Sequence, residues 1–258
     1  MYNLQKIMKN NPSNLKQVWE EYYEEESDTA IKDKPFFLLE TETIEKEVGK
    51  IAENKKKLSI LELGCGTGFL AKRLIKTVFK NQEYTYTGVD ISNKAIDKAK
   101  KRKIPKTFFM EADFFNFFEK STKKYDLIIS QRSIMALLKK EEQLKLLGLI
   151  NSRLTDKGIG LFTECLHEAS EEINDYRKQL GIEPFKKVWH SRYLRIDEIK
   201  QIFEKYKIVD FCSTYWLITR IIYPYFKEPK HNTRLSKVVA EFPESGKYGL
   251  VKLIIVQK

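Results

Sequence analysis

Apolar positions in the first fifty residues recur at helical spacing. Leu15, Val18, Trp19 and Tyr22 fall at i, i+3, i+4 and i+7, the stripe of an amphipathic helix. An acidic run with two tyrosines, residues 20–26, decorates the rest of that segment. Pro35-Phe36-Phe37 interrupts it, and a second helical pattern follows through Ile44, Val48 and Ile51. From Leu58 the texture changes. Short apolar runs at 58–63, 84–89, 107–110, 125–130 and 158–163 alternate with helical patterns at 69–79, 94–101 and 141–153. Four strand-to-strand passages in succession, three of them with a helical pattern between, predict an α/β fold with a parallel, doubly wound sheet and right-handed crossovers. Apolar stretches around 208–219 and 249–256 would complete seven strands.

No internal repeat and no Pro/Gly/Ser-rich linker divides the 258 residues, so a single domain is expected. Residues 1–54 read as an N-terminal helical cap. Residues 165–205 are too long for a plain crossover helix and read as an insertion after the fifth strand. A second insertion, 223–247, separates the last two strands. In such sheets ligands bind outside the carboxyl ends of the strands, and these three segments are placed to form a lid there.

Composition narrows the partners. Hydrophobic residues at 42% and aromatics at 12% exclude a disordered or fibrous chain. The net charge of +11 favours anionic partners, such as phosphorylated small molecules, nucleic acid or an acidic membrane surface. The basic residues are spread along the chain, so a merely solvated surface reads equally well. Cys65, Cys165 and Cys212 are odd in number and far apart, which implies no disulfide framework. With only His167, His190 and His231, and no Cys-x-x-Cys or His-x-x-x-His pair, no metal site is expected. The first fourteen residues lack the apolar core of a signal peptide, and no run of about 18 apolar residues occurs. A cytoplasmic protein is expected.

The most informative segment is Leu61-Glu62-Leu63-Gly64-Cys65-Gly66-Thr67-Gly68, directly after a strand and before a helix. Alternating glycines permit a tight turn and leave room for a ligand against bare backbone, and a helix start offers free amides. Gly66-x-Gly68-x-x-Ala71 also matches the loose dinucleotide fingerprint. Glu62 helps to separate the two readings, because a carboxylate there suits a cationic amino acid and sits badly near a pyrophosphate. Gly88-Val89-Asp90-Ile91 ends the second strand with an acid able to grip a ribose diol, a feature shared with NAD-binding proteins. Asp113-Phe114 follows the third strand, offering a carboxylate to an adenine amino group and a ring to its face. The fourth strand ends in Gln131-Arg132, at the edge where a methyl group would be presented. Cys65 reads as a small packed residue. Asp90 and Asp113 could also serve as helix-capping or turn residues, with Ser92 the better cap beside Asp90.

These four segments, in this order, resemble the successive motifs of class I S-adenosylmethionine-dependent methyltransferases. The resemblance covers residues 58–163 well and 249–256 as the reversed last strand of that seven-stranded, mostly parallel fold. It implies S-adenosyl-L-methionine as cofactor. Glu62 and the loop Gly64, Cys65, Gly66 and Gly68 would meet the methionine part, with Gln131 nearby. Asp90 would hold the ribose, Ile91 and Phe114 would flank adenine, and Asp113 would read its amino group.

The acceptor is less legible. Methyl transfer needs positioning, plus a general base when the acceptor has a high pKa, so no triad is required. The segment 164–195 is the expected acceptor pocket, with His190, Arg132 and Tyr193 as the candidate catalytic residues. His190 is placed as base because imidazole titrates near ~6.5. Arg192, Arg177, Glu164 and Tyr23 are the candidate substrate contacts, the arginines as bidentate clamps for a phosphate or carboxylate. Ser130-Gln131-Arg132-Ser133 lacks the Asn/Asp-Pro-Pro-Tyr and Pro-Cys patterns of base-methylating enzymes. The second half is similar to methyltransferases of bacterial surface-polysaccharide gene sets. That similarity rests on Thr163-Glu164, residues 176–182 and 189–193, and the run from Ser213 to Pro224. It implies a sugar-linked or phosphorylated capsule precursor, for example a phosphoramidate group. An RNA or protein methyltransferase, a non-catalytic subunit of the same fold and a dinucleotide-dependent dehydrogenase stay open at this point.

Overall fold

A computed structural model describes residues 15–24, 33–53, 55–185, 188, 190–225, 240 and 248–258. Two helices, α1 (Leu15–Tyr22) and α2 (Lys34–Glu53), precede the sheet. Pro35 sits in the first turn of α2, where its missing N–H costs nothing, and Asp33 Oδ1 accepts the Phe36 N–H at 3.3 Å. The alternating part runs β1 (Lys57–Leu63), α3 (Phe69–Thr77), β2 (Glu83–Asp90), α4 (Asn93–Lys101), β3 (Thr107–Glu111), α5 (Phe114–Lys120), β4 (Tyr125–Gln131), α6 (Lys140–Arg153) and β5 (Leu154–Cys165). Then come α7 (His167–Gln179), α8 (Ile196–Ile202), β6 (Lys205–Asp210), a helical segment from Ser213 to Tyr225, and β7 (Val251–Gln257).

The seven strands lie in the order β3-β2-β1-β4-β5-β7-β6. The first five are parallel, and β7 runs antiparallel between β5 and β6. The chain winds outward from β1 to β3 and returns to β4 on β1's other side. The carboxyl ends of β1 and β4 therefore form the switch point at which such sheets open a crevice. Leu58, Ile60, Leu61 and Leu63 of β1 and Leu127, Ile128 and Ile129 of β4 are fully buried, as expected of strands covered on both faces.

One expected strand is shorter than its apolar run. The stretch 208–219 was expected to be strand throughout, yet β6 ends at Asp210 and Ser213–Tyr225 is helical. A mostly apolar run does not distinguish a buried strand from a buried helix. Here it buries a helix face, with Tyr215 and Trp216 packed on Phe36 of α2 at ring distances of 5.5 and 6.0 Å. Residues 226–239 and 241–247 of the expected second insertion lie outside the described residues. No described helix is long and apolar enough to cross a membrane.

Phe36 also stacks on Phe211 at 6.3 Å, so one side chain ties α2 to the chain after β6. Phe36→Ala should destabilise the fold by about 3–5 kcal/mol, read as a shift of the urea midpoint with unchanged slope. A loss under about 1 kcal/mol would show that this aromatic cluster does not hold α2 in place.

Candidate active site

A cavity of about 560 Å³ opens at the carboxyl ends of β1, β2, β4 and β5 and is roofed by α1 and α2. Its first half is built on the loop after β1. Gly64, Gly66 and Gly68 have φ of 72, 50 and 73°, the left-handed region that disfavours side chains. A Cβ on Gly66 would lie 2.7 Å from the Tyr23 hydroxyl, so the loop and α1 approach backbone to ring. Gly66 N–H donates to Asp90 Oδ2 at 2.8 Å, and Ser92 N–H to Asp90 Oδ1 at 2.9 Å, which fixes the acid at the end of β2. Ser92, not Asp90, takes the cap of α4, accepting from Ala95 N–H.

Glu62 is 2% exposed and lies opposite Gly88 in the β1–β2 register. The Tyr86 hydroxyl donates to it at 2.7 Å. Burial pushes its carboxyl up to about 8, against that hydrogen bond and with the Asp90 charge adding to the rise. Burial likewise raises Asp90 to about 6 against the amides that hold it down. A cationic ligand group relieves such carboxylates, because opposite charge favours their ionised form. The ammonium and sulfonium of an S-adenosyl amino acid fit this acid-lined, glycine-floored cradle. Ile91, Asp113 and Phe114 line the next part of the cavity. Asp113 Oδ1 caps α5 through Phe115 and Asn116 N–H, so capping and a cavity position coincide in one residue.

The second half has mostly aromatic and apolar walls: Trp19, Tyr22, Phe37, Phe185, Tyr193 and Trp216 face it, with Met135 and Leu137 from the loop after β4. His190 packs edge-on against two of these rings, 6.1 Å from Trp19 and 6.4 Å from Tyr22. Burial lowers its pKa, which keeps the imidazole neutral near pH 7 and able to accept a proton. Arg132 has a φ of 53°, unusual for a residue with a side chain. Its guanidinium sits 5.2 Å over Phe36 and 2.9 Å from buried Glu40, in a charge pair poorly aligned for hydrogen bonding. Gln131 Nε2 donates to the same Glu40 at 2.9 Å.

Three of the four expected substrate contacts do not line the cavity. Arg192 does not line the cavity, because Glu198 and Gln143 hold its guanidinium, the former at 2.9 Å. Arg177 lies over the Phe185 ring at 4.1 Å and donates to the Glu183 carbonyl at 2.8 Å. Glu164 is fully buried and accepts the Ile134 and Met135 N–H groups, each at 3.0 Å, together with the Ser130 hydroxyl. It shapes the loop after β4 from behind. Tyr23, the fourth, lines the cavity where it lies over Gly66. Asp33 and Arg220, unselected from the sequence, pair at the cavity wall at 2.9 Å. Nothing in their local spacing marks them, since 187 residues separate them in the chain.

In the folded chain Glu62 and Glu164 titrate near about 8 instead of 4.5, and Asp90 near about 6 instead of 3.8. The folded state therefore binds more protons than the unfolded chain between those values, and stability falls as pH rises through that window. The ligand-free melting temperature should drop by roughly 5 °C or more from about pH 5.5 to about 8.5. A flat or rising profile would contradict it. Glu62→Gln should weaken S-adenosylhomocysteine binding by about 2 kcal/mol or more in calorimetry, the cost of losing one partner of a buried charge pair.

Comparison with known proteins agrees with this geometry. Residues 54–209 match the family model described as "Methyltransferase domain". A malonyl-[acyl-carrier protein] O-methyltransferase of Ilyobacter polytropus is 28% identical over 154 residues, 59% of this chain and 53% of that protein. The chain thus matches about half the length of that relative. Two solved structures share the fold. A plantazolicin methyltransferase in complex with a triazolic desmethylPZN analogue and S-adenosylhomocysteine is 16% identical, with a TM-score of 0.58 over 99% of both chains. Magnesium protoporphyrin IX methyltransferase from Synechocystis PCC 6803 is 13% identical, with a TM-score of 0.59 over 96% of this chain and all of the other. With its motifs, strand order and family match in agreement, the chain belongs to the class I S-adenosylmethionine-dependent methyltransferases.

Proposed function

We propose that this methyltransferase acts on a small acceptor that carries one polar or anionic nucleophile on a flat, largely apolar body. The observation supporting it is the make-up of the second half of the cavity: mostly aromatic and apolar walls with Arg132, the Arg220–Asp33 ion pair and one neutral imidazole, His190. When bound, the cofactor supplies a methyl group on a positively charged sulfur, so the acceptor must bring a lone pair. Glu62, Asp90 and the glycine loop would hold the cofactor, and Asp113, Phe114 and Ile91 its adenine end. His190 would take the proton that a hydroxyl or amine sheds, with Tyr193 lining the same space. A carboxylate needs no base, and Arg132 would orient it. The O-methyltransferase name of the sequence relative fits an oxygen nucleophile.

A phosphorylated or sugar-linked capsule precursor is the competing reading. Its support is the similarity of the second half, the excess basic charge and Arg132, since Arg177 and Arg192 are engaged away from the cavity. The insertion 165–205 contributes Cys165, Phe185, Val188, His190, Ser191 and Tyr193 to the wall, consistent with an acceptor-facing lid.

The test is transfer of labelled methyl groups to a panel of aromatic and aliphatic acids, phenols, amines, nucleotide sugars and short RNAs. Turnover of the flat acids, phenols or amines is expected. Turnover confined to RNA or nucleotide sugars would overturn the apolar-body reading. Removing Arg132 alone would strand Glu40, so the pair is replaced together as Glu40→Gln/Arg132→Met. That variant should keep its fold and lose about 2 kcal/mol, roughly 30-fold, in kcat/KM for an anionic acceptor.

A further inference from the structure

We infer that Glu20 is a positioning residue of the cofactor site: through Ser92 it steadies Asp90, and by fastening α1 to α4 it holds Tyr23 over Gly66. The inference rests on the cofactor reading of the cradle. Glu20 belongs to an acidic run whose expected place is solvent. Its carboxylate instead reaches the start of α4, where Oε1 accepts Asn93 N–H at 2.7 Å and Oε2 accepts Lys94 N–H at 3.2 Å. Oε2 also accepts the Ser92 hydroxyl at 3.0 Å. Burial opposes ionisation of Glu20, yet these donors outweigh it and hold its pKa below the ordinary value.

A helix leaves its first N–H groups unpaired, and an anion there gains from both hydrogen bonding and the helix dipole. Here the anion comes from another element. Ser92 then joins the two acids: its N–H donates to Asp90 and its hydroxyl to Glu20. The order Glu20–Ser92–Asp90 runs from α1 to the residue expected to grip the ribose.

At 8 residues α1 is too short to be stable alone, and Val18 is its buried residue. Other described ties of residues 15–24 are Lys16 with Glu111, Lys94 with Glu24, Lys98 Nζ to the Tyr23 carbonyl at 2.8 Å, and the rings of Trp19 and Tyr22 against His190. The first two are solvent-exposed pairs and contribute little. Glu20 is the carboxylate that ties the helix to the start of α4 and so to the wall over the cofactor half of the cavity.

The experiment is S-adenosylhomocysteine binding by surface plasmon resonance to the full chain, its Glu20→Ala and Glu20→Gln variants, and Lys94→Ala as a control for the exposed pair. Glu20→Ala should speed dissociation and raise Kd by roughly tenfold, with partial rescue in Glu20→Gln and little change in Lys94→Ala. The melting temperature of the ligand-free variants should move little. Equal dissociation rates for the wild type and Glu20→Ala would overturn the role of Glu20. A wild type that folds and binds no S-adenosylhomocysteine would instead overturn the cofactor reading beneath it. Hydrogen exchange on the wild type supplies an arm independent of folding of the variants: ligand should slow exchange in residues 15–24, and unchanged exchange there counts against the proposal.

Discussion

The carboxylate of Glu62 lies sealed at the end of β1, between two other strands and below a loop of glycines, and the rest of the site is arranged around that fact. A buried carboxylate with a single hydroxyl donor is an expensive feature for a fold to keep. Asp90 adds a second acid one strand away, raised by burial in the same manner. The Asp90 charge pushes Glu62 further toward its neutral form, and the Glu20 charge does the same to Asp90. The arrangement makes physical sense as half of a complementary pair, with the cation arriving on the ligand. The three left-handed glycines follow from the same demand. A side chain at Gly66 would collide with Tyr23, and at Gly64 with Ser133, where the ligand must meet bare backbone.

The roof obeys two different kinds of chemistry along one short helix. Toward the cofactor half, α1 is held by hydrogen bonds to charged groups, which are directional and set its register on α4. Toward the acceptor half it presents Trp19 and Tyr22 to the His190 ring, contacts that tolerate sliding. Such a division lets the cofactor end be fixed while the aromatic end adapts to an acceptor. α2 serves differently: Glu40 and Thr41 are buried beneath Gln131, and Phe36 lies under Arg132. The left-handed backbone at Arg132 is over-determined by these neighbours, which is how strained residues persist at functional sites.

The sheet was largely legible because β1 and β4 each carry an apolar stretch broken only by isolated polar residues, and β2 alternates buried and half-buried positions at the strand period. The cofactor loop was legible because its chemistry is local: an acid, three glycines and a helix start are contiguous. The failures share a cause. The stretch 213–219 reads as strand because its polar positions, Ser213, Thr214 and Thr219, are buried with their apolar neighbours and mark no helical face. Arg132, Arg177 and Arg192 look alike in sequence, and only tertiary neighbours decide which of them faces the cavity. Glu20 looked like one more solvated acid in a run of acids, because its partners at 92–94 lie more than seventy residues away.

The charge of the chain and the charge of the site are separate matters. The +11 arises mainly from lysines on the outer faces of helices and loops, such as Lys100, Lys101, Lys103 and Lys106 around the end of α4. Inside the cavity the balance differs. Arg132 is matched by Glu40 and Arg220 by Asp33, while Glu62, Asp90 and Asp113 contribute acids and no further Lys or Arg lines the wall among the described residues. Exposed charge is screened over about 10 Å at ordinary salt, so the surface lysines speed the approach of anions more than they hold one in place. A multiply charged phosphate would need several unmatched donors at the transfer site, and the described wall offers the edge of one guanidinium. A single anionic group on an aromatic or aliphatic body asks for no more than that.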